Sequence, residues 1–106
     1  MLNEISVQTL HRRRLASDRL VLIDVREPEE FLYGHITGSV SMPLSEFEIL
    51  SESLDPTQSY IMICKVGVRS SIAGIYLLER FFNDVSNLVG GVSAWSQTID
   101  SSIRVL

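Results

Sequence analysis

One cysteine, Cys64, stands alone among 106 residues. A lone thiol excludes a disulfide within the chain and leaves no basis for a cysteine-rich zinc site. No apolar run approaches the ~20 residues that span a bilayer. The first residues, Met1-Leu2-Asn3-Glu4-Ile5, lack the basic start and apolar core of a secretory leader. Excess positive charge is missing too: the net charge is −4 and the pI about 5.0, which gives no footprint for nucleic acid. The single basic run, Arg12-Arg13-Arg14, is short and reads as the solvated face of an amphipathic helix. Repeats, linkers and low-complexity tracts are likewise absent. These absences point to one domain over residues 1–106 with no membrane segment, in a reducing, cytoplasmic setting where a free thiol survives.

What is present is an alternation of strands and helices. Ser6 suits the N-cap of a first helix, with Val7, Leu10 and Leu15 inward and His11 to Arg14 toward water. Leu20 to Val25 is a near-continuous β-rich run, as expected of a parallel strand covered on both faces. Pro28 suits a first helical turn, followed by Glu29 and Glu30, which favour the dipole there; Phe31 and Leu32 anchor the helix. A turn at Gly34-His35-Ile36-Thr37-Gly38 leads to a short strand around Ser39–Met42. Ser45 and Glu48 form a capping-box pattern, with Leu44 and Ile49 as its staple. Tyr60–Ile63 is an apolar strand, and a helix from about Ser70 is apolar nearly all round. Val85–Val89 is a last strand, and Gly90-Gly91 turns into a helix carrying Trp95. The tail from about Asp100 reads as loosely held. The pattern predicts an α/β fold around a parallel sheet.

The chemistry concentrates at Cys64-Lys65-Val66-Gly67-Val68-Arg69. A cysteine at the carboxyl end of a buried strand, where a short loop enters a helix, sits where open α/β sheets place ligands. Helix N-terminal amides favour the thiolate, and Gly67 permits the positive φ that curls a loop into an anion nest. The bland alternative is a buried cysteine acting as a small hydrophobe. The glycine and the two cations that follow it weigh toward a nucleophile.

Three separated segments resemble the rhodanese family. Leu22-Ile23-Asp24-Val25-Arg26-Glu27-Pro28-Glu29-Glu30-Phe31 with Gly34-His35-Ile36 and Gly38 is similar to its first signature, Cys64 to Ser70 to its active-site loop, and Asn87 to Trp95 to its C-terminal Gly-Gly and Ala-Trp signature. The resemblance implies a rhodanese-like fold of about five parallel strands with helices on both faces. It also implies sulfurtransferase chemistry. Cys64 would take sulfane sulfur from a small anionic donor such as thiosulfate, or from a persulfide, and pass it to cyanide or a thiol. A thioredoxin-like or sulfur-accepting protein is among the implied acceptors, and no cofactor or metal is implied. Lys65, Val66, Gly67, Val68 and Arg69 would form the substrate-binding loop, with Asp24 and Arg26 in support.

Arg69 reads first as a clamp on a carboxylate such as Asp24, and second as a donor-binding group. His35 reads as a structural hydrogen-bonding residue ahead of a general base, and Trp95 as core cover. Val66 and Val68 stand where small polar residues are common in the family, an expectation of a narrower, less polar pocket. Glu30 occupies the position of a donor-binding arginine in two-domain thiosulfate rhodaneses, which disfavours thiosulfate. Two rival functions remain. One is a non-catalytic or partner-specific sulfur-relay module of the same fold. The other, ranked lower, is an oxyanion phosphatase or arsenate reductase, whose loops carry five residues between cysteine and arginine where this chain has four.

Overall fold

Strand β4 (Ser59–Ile63) forms the middle of the structure, and the rest of the chain arranges itself to cover both its faces. The computed structural model describes all 106 residues. In chain order the elements are β1 (Asn3–Ile5), α1 (Val7–Leu15), β2 (Val21–Asp24), α2 (Pro28–Tyr33), β3 (Val40–Ser41), α3 (Phe47–Leu50), β4, α4 (Val68–Leu78), β5 (Asp84–Leu88) and α5 (Gly91–Thr98). Single 3-10 turns flank α3 at Leu44–Glu46 and Ser51–Ser53. The five strands run parallel in the order β1-β5-β4-β2-β3, the rhodanese-like arrangement expected.

Successive strand residues face opposite sides, and β4 shows it directly. Ile61 and Ile63 enter one core with Val7 and Leu10 of α1 and Val92 and Trp95 of α5. Tyr60, Met62 and Cys64 enter the other with Phe47 of α3 and Ala73 and Leu77 of α4. Both faces being covered explains why β4 is apolar from Tyr60 to Ile63 and β2 from Val21 to Ile23.

Ser6 caps α1 as expected, its hydroxyl accepting from the Thr9 amide at 3.1 Å. Several local expectations give way to packing. β1 is an edge strand of three residues with only Ile5 buried, too short to show a period. Leu15 is exposed because it lies about 140° around the helix from Leu10. Leu32 is exposed as well, and Phe31 holds α2 by stacking on His35, centroids 3.8 Å apart. The Ser45–Glu48 capping box does not form: the segment opens as a 3-10 turn after Pro43, and Ile49 points to solvent. A box-type contact appears instead at α2, where the Glu27 amide donates to Glu30 Oε1 at 3.0 Å.

Helix α4 is buried on one face only. Ser70, Ala73, Gly74 and Leu77 meet the sheet, while Ile72 and Ile75 remain exposed. Gly74 lets the helix sit low, since a Cβ there would come within 2.8 Å of Leu2 Cδ1. The segment from Asp100 onward is held, contrary to its polar look. Ile103 is buried, and its carbonyl accepts from the Ser96 hydroxyl at 2.7 Å. The Arg104 backbone lies so close to Gly34 that no side chain would fit there.

Candidate active site

Cys64 follows the last residue of β4, so its side chain continues the strand's alternation into the α3–α4 core. Gly67, at φ +113°, makes the left-handed step that turns the loop into α4. The helix therefore starts at Val68, two residues before the predicted start, and Ser70 lies in its first turn with its hydroxyl inward. Cys64 Sγ accepts the Gly67 amide at 3.1 Å and the Ser70 hydroxyl at 3.2 Å. Burial pushes the thiol up. The Ser70 hydroxyl and the amides of Ser70, Gly67 and Val66 outweigh it, so the group rests below its ordinary value.

The loop amides can face the sulfur because the loop carbonyls are held from behind. The Cys64 carbonyl accepts the Val92 amide at 3.0 Å, and the Lys65 carbonyl accepts the Ser93 amide at 3.1 Å. The Gly67 carbonyl accepts Asn87 Nδ2 at 2.9 Å. The Gly-Gly pair makes this contact physically allowed. Gly91, at φ +56°, abuts both loop carbonyls, and a Cβ there would lie 2.5 Å from the Lys65 oxygen. The N-terminal turn of α5 is thus the floor of the loop. Glycine, needed both for the conformation and for the approach, is what the C-terminal signature contributes.

Arg69 does clamp a carboxylate, but the partner is Glu30 rather than Asp24. Its Nη1 and Nη2 donate to Glu30 Oε1 and Oε2 at 2.7 and 3.0 Å, a bidentate pair between α4 and α2. The Arg69 hydrogen bonds hold the Glu30 carboxyl down at about 2, against an ordinary 4.5. Asp24 is already taken. The Arg26 Nε and Nη2 donate to it at 2.9 and 2.7 Å, both side chains being fully buried. Arg26 Nη2 also reaches the Gly34 carbonyl at 2.8 Å, while its Nη1 has no partner. The Val25 amide donates to the Ile63 carbonyl at 2.9 Å, so the Asp24–Arg26 pair sits where β2 leaves the sheet beside β4.

The remaining residues singled out in the sequence divide cleanly. Lys65 is exposed and forms no ion pair. Val66 and Val68 are more than half exposed, so they form an apolar rim and do not narrow the bed of the sulfur. His35 Nδ1 bonds the Phe31 carbonyl at 2.8 Å, the structural use expected of it. Trp95 is buried under α1, with His11 edge-on at 5.9 Å and the Arg14 guanidinium 5.8 Å from its centre. His11 is therefore partly covered and does not face open water. Two surface recesses of about 420 and 210 Å³ lie against α1 and α5 and between α3 and α4, and Cys64 lines neither. No three His, Cys, Asp or Glu side chains converge anywhere in the chain.

Asn87 and the Ser70 hydroxyl received no role from sequence reasoning. A signal was available: Asn87 shares the strand face of Val85, and that face is otherwise apolar and borders Cys64.

The family model described as "Rhodanese-like domain" matches residues 6–98. The putative sulfurtransferase YtwF of Bacillus subtilis is 38% identical over 94 residues, covering 89% of this chain and 90% of its own. A protein named sulfurtransferase from Allochromatium vinosum is 30% identical over 97 residues, covering 92% and 91%. The crystal structure of a rhodanese-like domain protein from Staphylococcus aureus superposes with a TM-score of 0.86 at 27% identity, over 99% of both chains. A lone strand-end cysteine in a nest of amides, a parallel five-stranded sheet and these likenesses converge: the chain belongs to the rhodanese-like domain family, and relatives of it carry the name sulfurtransferase.

Proposed function

We propose that Cys64 is the sulfur carrier, taking sulfane sulfur from a donor as a persulfide and handing it to a thiol or to cyanide. The observation that carries this reading is the pair of donors on Sγ, the Gly67 amide and the Ser70 hydroxyl, at the carboxyl end of β4. A thiolate is the attacking species, and fixed dipoles stabilise charge better than reorganising solvent does. The thiolate attacks the outer sulfur of the donor. A new S–S bond forms at Sγ, the donor's S–S bond breaks, and its electron pair leaves as sulfite or as the donor's thiolate. An acceptor nucleophile then attacks the outer sulfur and returns the pair to Sγ, so the cycle is redox-neutral.

The loop residues Lys65 to Arg69 bind the donor in this scheme, with Lys65 as the one unpaired cation. Asp24 and Arg26 hold the exit of β2 beside the loop and touch no reacting atom. Glu30 engages both terminal nitrogens of Arg69, which favours a persulfide donor over dianionic thiosulfate. The exposed valines of the rim favour an acceptor with apolar surface, such as a thioredoxin-like or sulfur-accepting protein. The same Glu30–Arg69 pair argues against a phosphatase, because the guanidinium that would grip phosphate is already occupied.

Intact mass spectrometry after brief exposure to thiosulfate or to glutathione persulfide tests the proposal. Wild type gains about one sulfur atom, removed by a thiol reductant, and Cys64→Ser gains none while keeping its fold. Sulfur uptake by Cys64→Ser would remove the claim. No uptake by wild type from either donor would leave the binding-module reading.

A further inference from the structure

The Ser70 hydroxyl has one proton and two acceptors. Cys64 Sγ lies 3.2 Å away and Asn87 Oδ1 2.5 Å away. Which amide atom of Asn87 faces Ser70 follows from its other contact. Nδ2 must donate to the Gly67 carbonyl at 2.9 Å, and that turns Oδ1 toward the hydroxyl. Ser70 is fully buried and Asn87 nearly so, so water does not supply a substitute partner to either.

We propose that Asn87 is a positioning residue for Cys64, acting through Ser70 as the alternate acceptor of its hydroxyl proton. With a neutral sulfur, the hydroxyl donates to Asn87 Oδ1 and receives the S–H as an acceptor. With a thiolate, the hydroxyl turns to Sγ. Once the outer sulfur is attached, charge lies one atom further out, Sγ is a poor acceptor, and the hydroxyl returns to Asn87. The Ser70 proton is never transferred; it changes partner. Because leaving a buried polar group unpaired is costly, Asn87 stabilises the thiol and persulfide stages while Ser70 stabilises the thiolate. The inference rests on Cys64 being the reacting group, as proposed above.

The charged groups around the sulfur are few. Lys65 and Arg69 belong to its own loop and helix, Glu30 of α2 is spent on Arg69, and Asp24 is spent on Arg26 at the end of β2. Neither the end of β5 beside Cys64 nor α5 carries a titratable residue. A change at Asn87 therefore reaches the sulfur through hydrogen bonding and not through a displaced charge.

The lone cysteine makes the test site-specific. The rate of iodoacetamide alkylation is followed against pH for wild type, Ser70→Ala, Ser70→Thr, Asn87→Leu and the Ser70→Ala/Asn87→Leu double variant. Ser70→Ala raises the midpoint by about one unit and Ser70→Thr restores it. Asn87→Leu lowers the midpoint by about half a unit, because the hydroxyl no longer has a competing acceptor. In the Ser70→Ala background the same change no longer lowers the midpoint, and what remains there is the effect of freeing the Gly67 carbonyl from Asn87 Nδ2. A merely structural Asn87 would raise the midpoint by loosening the loop. A raised or unmoved midpoint in Asn87→Leu, or an equal lowering with and without Ser70, overturns the proposal. Asn87→Ala replaces Asn87→Leu where a thermal melt shows the latter unfolded. Alkylation needs no sulfur donor, so the outcome is separate from that of the mass measurement.

Discussion

Replacing Glu30 with glutamine keeps the shape of the α2–α4 clamp and removes its charge. A carboxyl moved from 4.5 to about 2 corresponds, taken at face value, to roughly 3 kcal/mol. The Arg69 side chain keeps 35% of its exposure, so solvent screening reduces the pair to about 1 kcal/mol. For a domain of this size that is a drop in Tm of roughly 4–8 °C. The sign with pH follows from the lowered value. The folded carboxylate binds its proton less readily than the unfolded one, so the stabilisation is complete above 4.5 and is lost as pH falls toward about 2. Urea unfolding of wild type and Glu30→Gln, compared from neutral pH downward, should show a gap that closes over that window. Equal stability at neutral pH, or a gap that stays constant as pH falls, would refute the assignment of the clamp.

Glu30→Arg should lower the KM for thiosulfate by placing a second cation at the mouth and freeing Arg69; steady-state kinetics with cyanide as acceptor measures it. Gly91→Ala should cost roughly 1–3 kcal/mol for the left-handed backbone alone. It should also slow alkylation of Cys64, because the Cβ displaces the Cys64 and Lys65 carbonyls. Asp24→Asn leaves the fully buried Arg26 guanidinium uncompensated, and should destabilise the fold by about 3–5 kcal/mol in chemical denaturation.

The parts legible in the sequence are those that local chemistry decides. The β-rich run Leu20–Val25 and the apolar run Tyr60–Ile63 lie in strands Val21–Asp24 and Ser59–Ile63 because both faces are covered. Gly67 adopts the left-handed step anticipated for it. What escaped depends on residues distant in the chain. Arg69 had several candidate carboxylates, and the choice of Glu30 was settled by Asp24 being held two residues away by Arg26. Helix α4 looked buried all round because Ile72 and Ile75 are apolar, yet nothing packs over that side. Three residues of β1 carry too little pattern to reveal a strand whose partner is β5. Ser70 and Asn87 meet only through the pairing of β4 with β5.

The strand order has a consequence for how the molecule assembles. Asn3 pairs with Ser86 and Ile5 with Leu88, so the domain's first strand finds its place only after nearly the whole domain is available. Until then Ile5, Val7 and Leu10 lack the α5 residues that cover them. Such distant pairing slows the search for the native state. On a ribosome it would leave α1 and its apolar stripe waiting, which makes the N-terminal segment the place where chaperone capture or early aggregation would begin.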